Sequence, residues 1–149
     1  MTRIIVPLVI VVLVLLAAPV WAQDAARGFP IGTTYRAISI SGFDVQKHGL
    51  TLTVTRAGEA FKGSGHAGCN SWSAVVSLRD DQIDFSNIVT TRKFCGQPRM
   101  KTEEAFIASL RSARRWRLDG VRLIIEGEAA RLLMTSAAQP GRTKSAPRR

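Results

Sequence analysis

An alternation of apolar and polar residues runs along much of the chain and is typical of half-buried β-strands. It is cleanest at residues 50–55, where Leu50, Leu52 and Val54 face one way and the intervening threonines face the other. Similar patterns predict further strands at 35–45, 60–63, 71–78, 82–86, 88–91, 116–118, 121–125 and 131–135. Many short strands separated by turn residues favour an antiparallel sheet.

The same pattern assigns faces and turns. The opening strand is predicted to place alternate residues on two faces, with Tyr35, Ala37 and Ser39 on one and Ile38, Ile40 and Phe43 on the other. Asp119 and Gly120 predict a tight hairpin turn in which both central residues have positive φ.

One segment has helical periodicity instead. Phe106, Leu110 and Ala113 form an apolar stripe, Thr102 is a good N-cap, and Glu103 would lie in the first turn. Pro98 is expected to end the preceding sheet. We therefore predict a β-dominated α+β fold: a small antiparallel, barrel-like sheet with one covering α-helix at about 102–114.

The N-terminus has the pattern of a secretory signal. Arg3 precedes an apolar run, and Val20-Trp21-Ala22 suits signal peptidase, so cleavage is expected after Ala22. The alternative is a retained N-terminal membrane anchor, because residues 4–22 carry no charge. The predicted organisation is a signal peptide at 1–22, a flexible lead-in at 23–31, one domain at 32–135 and a disordered basic tail at 136–149.

The chain is strongly basic, with a formal net charge of +10. Export would separate it from nucleic acid, so we expect no nucleic-acid partner. An anionic envelope surface or an unknown envelope protein is the expected partner of a monomer. An arginine run is the candidate basic surface patch: Arg111, Arg114, Arg115 and Arg117.

Cys69 and Cys95 are the only cysteines, and an exported domain usually pairs its cysteines in a disulfide. A redox site is the alternative, but dithiol oxidoreductases hold their cysteines much closer in sequence. A zinc site would need two further ligands, and His48 and His66 are the only histidines. We expect no metal and no cofactor.

The other candidate residues have structural explanations. His66 is expected in an exposed loop, and Asn70 is expected to hydrogen-bond local backbone. Gly65 and Gly68 permit a bulge or close approach of strands, and a nucleotide loop is not expected because no helix follows them. The acidic residues at 80–84 do not have the spacing of a calcium loop and predict a solvated turn.

These residues resemble the META-domain family, also called HslJ-like or DUF306 proteins. The resemblance rests on Gly65-His66-Ala67-Gly68-Cys69-Asn70, on Thr91-Arg92-Lys93-Phe94-Cys95, on 104–110 and on the closing hairpin at 116–123, and it covers about residues 32–135. Gly65, Gly68, Asn70 and Thr91 are its structural motif residues. Ser73-Ala74 departs from the family, whose members often carry glycine after the aromatic residue.

The resemblance implies a bacterial envelope protein with links to heat shock, antibiotic tolerance or secretion, and it supplies no catalytic residue. We therefore expect a non-catalytic periplasmic or secreted domain. One alternative is a barrel that holds a small apolar ligand or lipid, which would need an interior cavity. Another is an enzyme, which would need a cleft where His48 or His66 meets a buried carboxylate.

Overall fold

The computed structural model describes residues 28–137, and most of them lie in strands of a single sheet. A 3₁₀ turn at Gln46–His48 follows the second strand. The strands and the one α-helix found in this part of the chain are β1 (Thr34–Ile40), β2 (Phe43–Asp44), β3 (Thr51–Ala57), β4 (Ala60–His66), β5 (Ser71–Arg79), β6 (Gln82–Thr90), α1 (Gln97–Arg111), β7 (Ala113–Asp119), β8 (Arg122–Gly127) and β9 (Arg131–Ser136).

The sheet closes into an eight-stranded antiparallel barrel. Its order is β1-β3-β4-β5-β6-β7-β8-β9, β9 pairs back onto β1, and the two-residue β2 extends the edge of β1. The junction between β6 and β7 is short, with a single register pair between Gln82 and Arg115. Helix α1 packs against β6, so the predicted β-dominated fold with one covering helix is confirmed.

Antiparallel order gives the barrel two unlike ends. Three hairpin turns, β3–β4, β5–β6 and β7–β8, lie at one end, which we call the turn end. The β1–β3, β4–β5 and β6–α1 connections lie at the other, which we call the helix end. Both cysteines belong to the helix end, because Cys69 is in the β4–β5 connection and Cys95 in the β6–α1 connection.

Side chains fill the barrel interior. As the alternation predicts, Leu50, Leu52 and Val54 are buried, and the other strands contribute inward-facing residues that include Tyr35, Trp72, Ala74, Val76, Ile83, Phe85, Trp116, Leu123, Ile125, Leu132 and Met134. Desolvation by this burial raises the pKa of the Tyr35 phenol. Phe106 and Leu110 of α1 join the same core.

The opening strand departs from strict alternation. Tyr35, Ala37 and Ile40 are all buried, although the predicted pattern placed Ile40 on the opposite face from Tyr35. The register with β9 shifts between Ala37 and Ser39. This irregularity adds a residue to one strand and returns the apolar side chain of Ile40 to the core.

The turn between β7 and β8 is one residue later than predicted. Asp119 pairs with Arg122, so the central residues are Gly120 and Val121. Gly120 has φ of 58°, whereas neither Asp119 nor Val121 has positive φ. A turn with positive φ at its first central residue needs glycine only there.

Helix α1 begins at Gln97 and ends at Arg111, whereas the prediction placed it at 102–114. Gly96 is the N-cap, and Pro98 lies in the first turn, where its missing N–H costs nothing. Thr102 is therefore inside the helix, where its hydroxyl donates to the Pro98 carbonyl at 3.0 Å. Glu103 is consequently not in the first turn, and its side chain is buried instead.

The core begins before residue 32. Phe29, in the predicted lead-in, is buried, and its ring meets that of Trp116 edge-on with centroids 4.9 Å apart. At the other terminus, Ser136 still belongs to β9. The predicted signal peptide, most of the lead-in and nearly all of the basic tail lie outside the described residues. Within residues 28–137, no helix is long and apolar enough to span a membrane.

We predict that Phe29→Ala lowers the free energy of unfolding by about 3 to 5 kcal/mol, because it removes a buried aromatic ring from the core. Ile31→Ala is the control, since Ile31 is 37% exposed, and it should change stability by less than about 1 kcal/mol. Urea denaturation followed by tryptophan fluorescence measures both. Equal small effects would show that the core does not extend to residue 29.

Candidate functional site

Asn70 is the centre of the most connected polar cluster of the described chain. Its side chain is buried, with 2% of the residue exposed. The Oδ1 atom accepts hydrogen bonds from the Thr91 hydroxyl at 2.7 Å and from the Lys93 backbone N–H at 2.8 Å. The Nδ2 atom donates to the Lys93 carbonyl at 3.2 Å. One amide group thus holds the β4–β5 connection against the segment that follows β6.

The same amide group also binds helix α1 through Glu103. Asn70 Nδ2 donates to both carboxylate oxygens, at 3.0 and 3.1 Å, and the Asn70 backbone N–H donates to Oε2 at 2.8 Å. Glu103 is only 7% exposed. A buried carboxylate is costly unless it accepts such hydrogen bonds. We call the set Asn70, Thr91, Lys93 and Glu103 the Asn70 network.

The disulfide joins the same two connections. Cys69 and Cys95 are bonded, with their Cα atoms 5.8 Å apart, and no free cysteine is present. The predicted disulfide is therefore confirmed. Because both thiols are used in this bond, neither cysteine is a free thiol that could serve a dithiol redox site or bind zinc. Cys69 directly precedes Asn70. The disulfide and the Asn70 network therefore join adjacent residues of the β4–β5 connection to the same segment, the one that follows β6.

The motif glycines make room for this arrangement. A Cβ on Gly65 would overlap the carbonyl oxygen of Thr51 on the neighbouring strand. That oxygen also accepts a hydrogen bond from the Trp72 indole N–H at 3.0 Å. Gly68 has φ of +102°, a conformation that disfavours residues with a Cβ. Both glycines therefore serve the backbone path that brings Asn70 to the helix.

Trp72 connects the cluster to the core. Its ring packs edge-on against Phe106 of α1, at 5.9 Å between centroids, and against Phe85 of β6, at 6.2 Å. The helix is therefore held to the barrel both by apolar packing and by the Asn70 network.

The four arginines of the predicted basic patch are exposed and lie on two elements. Arg111 ends α1, whereas Arg114, Arg115 and Arg117 lie on β7. Arg115 lies 3.1 Å from the Asp81 carboxylate, and Arg114 lies 3.8 Å from that of Asp84 and 4.0 Å from that of Glu128. These carboxylates offset much of the local positive charge. All these ion pairs are exposed, so each adds little stability.

His66 and the buried carboxylate of Glu103 both make hydrogen bonds within the fold. His66 Nδ1 accepts a hydrogen bond from the Gly68 N–H at 3.0 Å, and the oxygens of Glu103, the one buried carboxylate among residues 28–137, accept from Asn70. In that part of the chain no three His, Cys, Asp or Glu side chains are grouped to hold a metal ion.

The grooves of the described chain lie on its surface. One is lined by residues of β5, β6 and β7, including Leu78, Ile83 and Arg115, and another lies between β6 and α1. The barrel interior, in contrast, is occupied by the buried side chains of Leu52, Trp72, Phe85 and Trp116. This filled interior counts against a ligand held inside the barrel.

Sequence reasoning found Asn70 and Thr91 but missed Glu103, their partner on the helix. A helix placed at 102–114 put Glu103 in the first turn. One available signal was Pro98, which is favoured in the first turn of a helix as well as at the end of a sheet. Another was spacing, because Glu103 precedes Phe106 by three residues and Leu110 by seven and therefore lies on the helix face that packs on the barrel.

We predict that Asn70→Asp destabilises the protein by about 3 to 5 kcal/mol, because it removes the amide donor from a buried carboxylate and adds a second negative charge beside it. Asn87→Asp makes the same chemical change at an exposed position and should cost less than about 0.5 kcal/mol. Chemical denaturation of both variants measures the difference. Similar stabilities for the two would mean that the Asn70 network contributes nothing.

We predict that reducing the disulfide removes about 3 to 4 kcal/mol of stability, as expected for closing a loop with a separation of 26 residues. The melting temperature should fall by about 10 to 20 °C. Cys69→Ser should melt like the reduced parent and should not respond to reductant. If oxidised and reduced parent proteins melt together, the bond adds no stability.

Comparisons with known proteins agree with this architecture. The sequence model of the META domain matches residues 29–140. An NMR structure of a protein from Burkholderia xenovorans is similar, with a TM-score of 0.62 and 19% identity over 82% of this chain and 93% of that one. A second NMR structure has a TM-score of 0.55 and 18% identity over 70% and 88% of the two chains. No curated protein matches. The chain belongs to the META domain family.

Proposed function

We propose that this chain is an exported, non-catalytic META domain protein that works as a rigid monomer docked on an anionic component of the bacterial envelope, with a role in envelope or heat stress. The observation that carries the proposal is that the buried polar side chains at the helix end hydrogen-bond to one another. Asn70, Glu103 and Thr91 are engaged in hydrogen bonds with one another, as parts of the fold. Buried polar groups that satisfy one another in this way stabilise the fold, and their donors and acceptors are already used within it.

The charge of the chain supports the docking part of the proposal. The formal net charge is +10, and removal of residues 1–22 would take away only one basic residue, Arg3. A net charge of this size attracts anionic surfaces over several ångströms and weakens as salt is added. The disulfide supports export, because such bonds persist in oxidising compartments and are rare in the cytosol.

The first experiment measures the cellular fraction in which the protein is found and its mass. Expressed with its own N-terminus in a Gram-negative host, it should be recovered from the periplasmic fraction. Its mass should correspond to a chain starting at Gln23 with two hydrogens lost to the disulfide. A cytosolic product that starts at Met1 and carries two free thiols would contradict export.

The second step tests docking. Washed envelope preparations should retain the purified protein at low salt and release it at about 0.5 M salt, where the screening length is only a few ångströms. A protein of similar mass and near-zero net charge is the control for non-specific retention in the envelope pellet. Absence of retention at low salt would overturn the docking proposal.

A further inference from the structure

The segment that follows β6 carries four cations and no carboxylate. Residues 91–102 contain Arg92, Lys93, Arg99 and Lys101 and no carboxylate. All four are exposed. Within residues 28–137, the ion-paired basic residues are Arg114, Arg115 and Arg131, so none of these four cations is neutralised by an ion pair there.

A large aromatic side chain projects from the centre of this segment. Phe94 is 77% exposed and follows Arg92 and Lys93 directly. A single exposed apolar residue is common on protein surfaces and needs no explanation by itself. Here it directly follows two cations that have no ion-pair partner among residues 28–137, and the residues on both sides of it are bonded to the barrel.

The residues on both sides of Phe94 are fastened to the barrel. The backbone N–H of Lys93 donates to Asn70 Oδ1 at 2.8 Å, and its carbonyl accepts from Asn70 Nδ2 at 3.2 Å. On the other side, Cys95 is bonded to Cys69. The main chain is therefore held while the phenyl ring remains in solvent, so docking through Phe94 would cost little backbone entropy.

We propose that Arg92, Lys93 and Phe94, supported by Arg99 and Lys101, form a tip that docks on the surface of an anionic phospholipid bilayer. This inference rests on the proposed envelope function and names the surface that carries it. The cations match the lipid phosphates, and the ring enters the boundary between headgroups and acyl chains. We call these five residues the Phe94 tip.

A bilayer fits the Phe94 tip better than an acidic protein does. Specific protein interfaces bury about 800 Å² on each partner around an apolar core. The tip offers one exposed aromatic ring and four exposed cations, which is too small for such a core. A fluid, planar, anionic surface needs no shape complementarity and accepts a single inserted ring.

The location of the tip is consistent with docking end-on. It lies at the helix end of the barrel, whereas the described chain enters at Gly28 toward the turn end, where Gly32 donates to Val54 of β3. The carboxylate nearest to the tip along the chain, Glu103, is buried and bonded to Asn70, although the next, Glu104, is exposed.

The experiment measures binding of the protein recovered from the periplasmic fraction to sucrose-loaded vesicles by co-sedimentation. Vesicles of phosphatidylglycerol and phosphatidylethanolamine are compared with vesicles of phosphatidylcholine alone. Arg92→Gln with Lys93→Gln should weaken binding to the anionic vesicles by about thirtyfold, or about fivefold for each cation removed. Phe94→Ala should weaken it by about tenfold through lost apolar contact.

Two matched controls separate the tip from general charge and apolarity. Arg117→Gln with Arg122→Gln removes the same charge from exposed positions on β7 and β8. Val121→Ala removes exposed apolar surface from the turn end, because Val121 is 68% exposed and lies in the turn between β7 and β8. Both should bind within about threefold of the parent. The C-terminal basic residues are the same in every protein compared.

Three outcomes would overturn the proposal. Equal binding to anionic and neutral vesicles would exclude anionic lipid as the partner. Anionic binding that the controls weaken as much as the tip variants would reflect net charge alone. Retention on envelope preparations without binding to protein-free vesicles would assign docking to an envelope protein or polymer and leave the proposed envelope function standing.

Discussion

The structure depends on one buried carboxylate and the amide that satisfies it. Glu103 comes from the helix and Asn70 from the β4–β5 connection, so their hydrogen bonds join two elements that are far apart in sequence. Lys93 and Thr91 bind the remaining atoms of the same amide. Three segments therefore meet at a single side chain, and loss of that side chain leaves a buried charge without donors.

The disulfide and the Asn70 network act on the same junction by different physics. The bond between Cys69 and Cys95 lowers the conformational entropy of the unfolded chain, whereas the hydrogen bonds of the network stabilise the folded state. β6 meets β7 at only one register pair, and α1, which both fasteners hold, packs against β6. The same two fasteners fix the backbone around Phe94, which links the stability of the helix end to the proposed docking surface.

Local sequence pattern predicted the strands, the disulfide and the single helix, because alternation, cysteine count and apolar spacing are local signals. It did not predict closure of β9 on β1, the irregularity before Ile40 or the partnership of Asn70 with Glu103, since these depend on contacts across the fold. The sequence also did not show that Arg114 and Arg115 of the predicted basic patch lie beside the carboxylates of Asp81, Asp84 and Glu128, because those contacts join residues that are distant along the chain. The Phe94 tip went unnoticed because exposure cannot be read from sequence.

The central claim is that Asn70 and Glu103 act as one unit, and a double-mutant cycle tests it most directly. Stabilities of the parent, Asn70→Ala, Glu103→Ala and the double variant give the coupling energy between the two side chains. We predict a coupling of at least about 1.5 kcal/mol, as for a buried hydrogen bond to a charged group. Additive effects, with a coupling near zero, would contradict it.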